Sequence, residues 1–184
     1  GELPDKKQLK DFERQERKER NLSKTLLQDI KNFPKKSHPM DVARTAVSIM
    51  GLEDKETKDN SPKANMRKIM RIFAKTPVAL AAFYRSRKGK KIISPKNNLS
   101  FSENFFYMCF GKVPNEDIVK AFDVSLILYA EHSFNVSTFT ARTITSSLSD
   151  IHGAITGAIA SLKGPLHGGA NEEVMHMMNK IKKP

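Results

Sequence analysis

The chain has 184 residues, 39% of them apolar and 8% aromatic, with nine Gly and nine Pro. This composition excludes disordered and fibrous classes and supports one sizeable core, or one domain plus the start of another. Its formal net charge of +12 favours anionic partners in general, but the excess is spread over residues 6–20, 35–36, 67–75, 85–91 and 180–183. In the first of these runs it is interleaved with Asp11, Glu13, Glu16 and Glu19, so it reads chiefly as solvated helix faces. Cys109 is the only cysteine, which excludes an internal disulfide and fits a reducing compartment, and no apolar run reaches the roughly 20 residues of a membrane-spanning helix.

Taken in order, the chain reads almost wholly as helix. Pro4 and Asp5 open a segment with Leu9 and Phe12 on one face, and Ser23 is placed to cap a short helix carrying Leu26, Leu27 and Ile30, which Pro34 stops. From Pro39, the residues Val42, Ala46, Ile49 and Met50 keep helical spacing, and Gly51 stands where a left-handed C-terminal cap is expected. Residues 53–62 form a polar loop that places Pro62 at the first position of a long helix running to about Arg87. Pro77 lies inside that helix and is expected to break or kink it. A basic loop over residues 88–100 precedes a helix starting at Ser102, and Gly111 to Pro114 ends it.

Asn115 with Glu116 and Asp117 makes a good helix start, because carboxylates in the first turn meet the positive end of the helix dipole. The helix continues through Leu128. Its end, residues 126–129, is apolar all round and reads as a buried element that delivers Glu131 and His132, a polar pair that burial makes costly unless paired or used. Two more helices follow, near 137–147 and 150–162. The second carries Gly153, Ala154, Gly157, Ala158 and Ala160, spaced for close approach of another helix. The run from Lys163 through Gly164, Pro165, Leu166, His167, Gly168 and Gly169 to Glu172 then ends one helix, sets an imidazole among glycines and begins another. A helix start beside a His offers free N–H groups to an anionic ligand.

Two of these stretches carry a specific resemblance. The segment Ala130-Glu131-His132-Ser133-Phe134-Asn135-Val136-Ser137-Thr138-Phe139-Thr140-Ala141-Arg142, followed by Leu162-Lys163-Gly164-Pro165-Leu166-His167-Gly168-Gly169-Ala170-Asn171-Glu172, resembles the citrate synthase family. Gly1-Glu2-Leu3-Pro4, His38-Pro39-Met40-Asp41 and Leu148-Ser149-Asp150 are similar to the same proteins, so the likeness covers nearly the whole chain. Glu131 before His132 looks more like the 2-methylcitrate synthase branch than the citrate synthases, which more often have Asp there.

The resemblance implies an all-α fold, mostly the large domain over residues 1–163, with 164–184 as the hinge and first helix of a small domain. It implies a homodimer, located in the cytoplasm or, in a eukaryote, in the mitochondrial matrix. The implied reaction condenses propionyl-CoA with oxaloacetate through an enol or enolate and releases CoA. Acyl-CoA enters as co-substrate, with no tightly bound cofactor, no metal, no nucleic acid and no membrane. His167 resembles the histidine that stabilises the thioester oxygen during enolisation, and His132 one that binds oxaloacetate. Asn135 and Ser137 match positions lining the same pocket, and Leu166, Gly168 and Gly169 match the bend beside the acyl-CoA. Such a reaction needs a base on carbon and a neutral donor on oxygen, and a His near a helix start can supply the donor. In the family the carbon base, a second histidine and the carboxylate-binding arginines follow His167. The chain is therefore expected to be an internal piece with half the site and no synthase activity by itself.

Two other readings compete. One is a citrate synthase restricted to acetyl-CoA. The other is a basic helical nucleic-acid-binding or scaffold protein, which predicts a clustered basic face and gives no reason for the His132 and His167 motifs. His38, His152 and His176 have no such support as site residues, and the last two read as surface or packing residues.

Overall fold

The computed structural model describes residues 2–130 and 133–181. Among these residues all regular structure is helical, as expected: α1 (Lys6–Glu19), α2 (Lys24–Asn32), α3 (Pro39–Glu53), α4 (Pro62–Arg87), α5 (Phe101–Phe110), α6 (Glu116–Tyr129), α7 (Val136–Ser146), α8 (Ile151–Leu162) and α9 (Gly169–Lys180). None of these helices is long and apolar enough to cross a membrane.

Short polar side chains set most of the starts. Asp5 accepts the Gln8 N–H at 2.7 Å while the Gln8 side chain accepts the Asp5 N–H at 2.8 Å, a reciprocal cap that uses two otherwise unpaired donors. Ser23, Ser61, Asn115, Asn135 and Asp150 cap α2, α4, α6, α7 and α8. The start of α5 differs from expectation. Ser100, with Glu103 returning the bond, is its cap, whereas Ser102 is buried and bonds through its hydroxyl to Asp123 of α6.

The long helix α4 is the spine, with α1, α2, α3, α5 and α8 packed around it. Leu26, Ile30, Val42, Ala46, Met50, Ala79, Ala82 and Phe83 form the main core between α2, α3 and α4. Val78, Ala81, Met108 and Cys109 form a second core between α4 and α5. Pro77 does not break the helix. It lacks an N–H for the Phe73 carbonyl, a local cost of about 3 kcal/mol, but Ala74, Val78, Ala79, Ala81 and Ala82 around it are all buried, and that packing holds the helix continuous.

Gly51 is likewise not a left-handed cap. It lies inside α3, which runs on to Glu53 and ends at an extended Asp54. Its role is close approach, since a Cβ there would come within 2.9 Å of the His152 Cβ on α8. A Cβ on Gly157 would lie 2.2 Å from the Ile144 Cδ1, so α7 seats on α8 in the same way, as the small-residue spacing indicates. Gly111 is the left-handed residue, φ 83°, that closes α5.

Several charges are buried with partners. Arg20 Nε and Nη2 grip Glu16 at 2.8 and 2.7 Å, and Nη1 donates to the carbonyls of Lys96 and Leu99 at 2.7 and 3.0 Å. With Arg85 Nε on the Lys91 carbonyl at 2.5 Å and Asn104 Oδ1 on the Lys96 N–H at 2.8 Å, these bonds fasten the loop between α4 and α5. Between α3, α4 and α8, Arg71 bonds Asp54 at 2.8 Å and Glu56 at 2.8 Å, and His152 lies 3.5 Å from Asp54. Burial pushes the His152 imidazole below its ordinary value, with Asp54 pulling the other way, so it is a packing residue.

The apolar end of α6 departs from its reading as a buried element. No residue of α6 is buried, and Ile127, Leu128 and Tyr129 are 72%, 73% and 69% exposed. Among the described helices only α5 packs extensively on α6, through Phe105 and Phe106 against Phe122.

Candidate active site

The site assembles where the start of α7 meets the turn between α8 and α9. Asn135 caps α7: its Oδ1 accepts the Thr138 N–H at 3.2 Å and the Ser137 hydroxyl hydrogen. Phe134, just before it, takes a left-handed conformation at φ 58°, which is strained for a side chain of its size, and it is fully exposed. The strained residue and the cap together turn the chain sharply into α7, whose Ser137 N–H points toward His167.

His167 is held in a tight turn. Its N–H donates to the Gly164 carbonyl at 2.9 Å, its carbonyl accepts from Ala170 at 3.1 Å, and Gly169 N–H also reaches Gly164 at 3.1 Å. Gly168 and Gly169 are necessary for this turn. A Cβ on Gly168 would sit 2.6 Å from the Leu162 carbonyl oxygen, and one on Gly169 would sit 2.7 Å from that of Lys163. The turn thus brings the imidazole back over the end of α8, leaving Leu166 exposed beside it.

Across 30 residues of chain, His167 Nε2 lies 3.1 Å from Ser137 Oγ and 3.3 Å from the Ser137 backbone nitrogen, whose N–H points at it. The two contacts ask opposite roles of Nε2: the Ser137 N–H needs an acceptor, whereas the Ser137 hydroxyl, whose hydrogen lies on Asn135 Oδ1, can only accept, so either neutral tautomer keeps one of them. The helix start that the imidazole meets is that of α7, not only α9 as the sequence suggested.

Of the sequence-derived site residues, Asn135, Ser137, Leu166, His167, Gly168 and Gly169 therefore lie together, and His132 lies outside the described residues. A cleft of about 630 Å³ opens beside them between the end of α6 and α7, lined by Ala130, Phe134, Asn135, Val136, Thr138, Phe139 and Arg142. It meets the imidazole through Asn135 and Ser137 and is not lined by His167 itself.

Three polar ties around the turn join residues whose pairing was not read from sequence. Tyr129 Oη reaches Asn171 Oδ1 at 3.5 Å, His38 Nε2 meets Glu172 Oε2 at 2.9 Å, and Lys163 Nζ donates to Asp41 Oδ2 at 2.7 Å. The Lys163 hydrogen bond, then the Arg44 charge, holds the Asp41 carboxyl below its usual value, and His38 does the same for Glu172. Their partners lie 122 and 134 residues away, beyond the reach of periodicity.

The family model described as citrate synthase, C-terminal domain, matches residues 1–184. The chain is 48% identical over 184 residues to the 2-methylcitrate synthase of Mycobacterium tuberculosis (strain ATCC 25618 / H37Rv), covering all of this chain and 46% of that protein. It is 48% identical over 181 residues to the citrate synthase of Mycolicibacterium smegmatis, covering 98% of this chain and 48% of that one. The chain spans about half the length of the curated relatives it matches. Its fold is similar, with a TM-score of 0.90 and 28% identity, to the citrate synthase of the thermophilic archaeon Thermoplasma acidophilum, solved as a ternary complex with carboxymethyl coenzyme A and oxaloacetate. That match covers 100% of this chain and 48% of the solved one. With two separated motifs meeting at one imidazole and a family match over its full length, the chain belongs to the citrate synthase family.

Proposed function

We propose that the protein carrying this chain is a 2-methylcitrate synthase, joining propionyl-CoA to oxaloacetate and releasing CoA. The observation that supports it most is the 3.1 Å approach of His167 Nε2 to Ser137 Oγ, which fixes an imidazole at a helix start. In this reading Ser137 orients the ring, and a ring N–H donates to the thioester oxygen as charge develops there. A neutral donor placed in advance stabilises an enolate without first having to reorganise. His132 and Asn135 hold oxaloacetate, and Leu166, Gly168 and Gly169 border the acyl group. Asp41 and Glu172 are committed to Lys163 and His38.

Residues 1–163 belong to a large domain and 164–184 to the hinge and first helix of a small one. The absence of an extensive packing partner for α9 among the described helices supports that division. Closing the small domain would then pivot at the His167 turn and exclude water from the enolate. The assembly is a cytoplasmic homodimer that needs no tightly bound cofactor.

A citrate synthase using acetyl-CoA is the second reading, favoured by the Mycolicibacterium smegmatis relative at equal identity. One methylene in an apolar pocket separates substrates by about 1–3 kcal/mol, so the test is kinetic. CoA release by the complete protein is measured with oxaloacetate plus either propionyl-CoA or acetyl-CoA. A higher kcat/KM for propionyl-CoA is expected. Preference for acetyl-CoA moves the assignment to citrate synthase, and no release with either overturns the condensation reading.

A further inference from the structure

The N-terminus of α3 touches both sides of the turn that carries His167. On the α8 side, Lys163 Nζ donates to Asp41 Oδ2 at 2.7 Å, and Asp41 also pairs with Arg44 at 3.0 Å. On the α9 side, His38 Nε2 meets Glu172 Oε2 at 2.9 Å, and the other Glu172 oxygen lies 3.8 Å from His176 on α9 itself. His38 and Asp41 are three residues apart, at the cap and in the first turn of α3, and α3 is packed firmly on α4 and α8. The orientation of the His38 ring is set independently of Glu172. Its Nδ1 accepts the Met40 N–H at 3.1 Å, which in the neutral ring leaves the proton on Nε2, facing the carboxylate.

We infer that His38 and Asp41 are positioning residues for His167, forming a two-point clasp that ties the turn on both flanks to the rigid start of α3. The inference rests on the reading of His167 as the enolisation donor. The turn's own hydrogen bonds run to Gly164, just past the end of α8. Helix α9 has no extensive packing partner among the described helices to set its direction. Polar ties then decide where α9 begins, and that beginning decides where the imidazole sits. Both pairs are partly exposed, so each contributes little to global stability and is easily broken and remade. A clasp of this kind holds geometry rather than fold.

The test uses the complete protein with the double variant His38→Asn and Lys163→Met. Asn keeps a good helix cap but does not reach Glu172, and Met keeps the length of Lys163 without its charge. Loss of alignment at a reacting centre removes an interaction made in the transition state, so kcat is expected to fall about tenfold while KM for both substrates stays within about twofold. The thermal midpoint is expected to stay at the wild-type value. The companion His38→Gln and Lys163→Arg double variant restores both donors, and most of kcat is expected to return with it. Wild-type kcat in the first double variant overturns the clasp, and so does a midpoint that falls in step with kcat, which marks a merely structural role. His167→Ala, assayed alongside, separates the two ideas. If that variant turns over normally, the reading of His167 fails. If it is inactive while the clasp variants behave as wild type, only the clasp fails.

Discussion

His167 Nε2 stands 3.1 Å from Ser137 Oγ, and the Ser137 hydroxyl hydrogen is directed at Asn135 Oδ1, so a three-residue chain runs from the α7 cap to the imidazole. His167→Ala is expected to lower kcat/KM for condensation by about 10²–10⁴-fold, the usual contribution of a positioned acid or base, with oxaloacetate binding measured by calorimetry largely intact. Ser137→Ala keeps the backbone N–H and is expected to lose less, at most about 10²-fold. Equal loss of binding and turnover in His167→Ala would contradict the role given to it.

Gly51 and Gly153 both lie in helices at the α3–α8 contact, but they differ in what a methyl group would meet. On Gly51 it meets the His152 Cβ at 2.9 Å, an atom fixed to its backbone. On Gly153 it meets the Ser149 hydroxyl at 3.3 Å, which can rotate away. Gly51→Ala is expected to cost about 1–3 kcal/mol through overpacking, and Gly153→Ala to be neutral or to stabilise by up to about 1 kcal/mol through helix propensity. Denaturation midpoints of the two variants decide it, and the same sign for both would refute the distinction.

Glu56 accepts from Arg67 and then Arg71, and these bonds hold its carboxyl down from 4.5 to about 2. A carboxyl that is more acidic folded than unfolded adds stability above its unfolded value and loses it as the pH falls through the folded one. The contribution of Glu56 is therefore present at pH 7 and fades between about pH 4.5 and about pH 2. Glu56→Gln is expected to lower the melting temperature modestly at neutral pH, with the gap to wild type closing across that window. A gap that stays constant on acidification would rule out this linkage.

Arg20 is 1% exposed and Glu16 4%, so their pair is desolvated. Arg20→Met strands a buried carboxylate and two loop carbonyls and is expected to cost about 3–5 kcal/mol. Adding Glu16→Gln to Arg20→Met is expected to recover part of that loss, because the orphaned charge is gone. A double variant less stable than Arg20→Met alone would show that Glu16 contributes chiefly through something other than this pair.

The helices and most of their starts were legible because capping is local. Asp5, Ser23, Ser61, Asn115 and Asp150 each accept hydrogen bonds within three residues. The His167 turn was legible from its glycines and its family likeness. What the sequence misassigned depends on distant partners. Gly51 looked like a cap because the reason for glycine there, His152, lies about a hundred residues on. Pro77 reads as a break or a kink, and the helix runs unbroken through it because the burial that holds it comes from other helices. The end of α6 looked buried because an apolar stretch carries no record of whether anything covers it. The links from α3 to Lys163 and Glu172 join side chains with no pattern between them.

The loop between α4 and α5 is rich in lysine and has no regular structure, which ordinarily marks a site of easy cutting by trypsin. Here the carbonyls of Lys91 and Lys96, the groups such a protease must polarise, are already held by Arg85 and Arg20. A scissile bond must be drawn out and extended to enter a protease, and these two are fastened to Arg85 in α4 and to Arg20 at the end of α1. The loop therefore behaves as a stay rather than a tether. The resistance of the bond after Lys96 to digestion becomes a direct gauge of whether the buried Arg20 is in place.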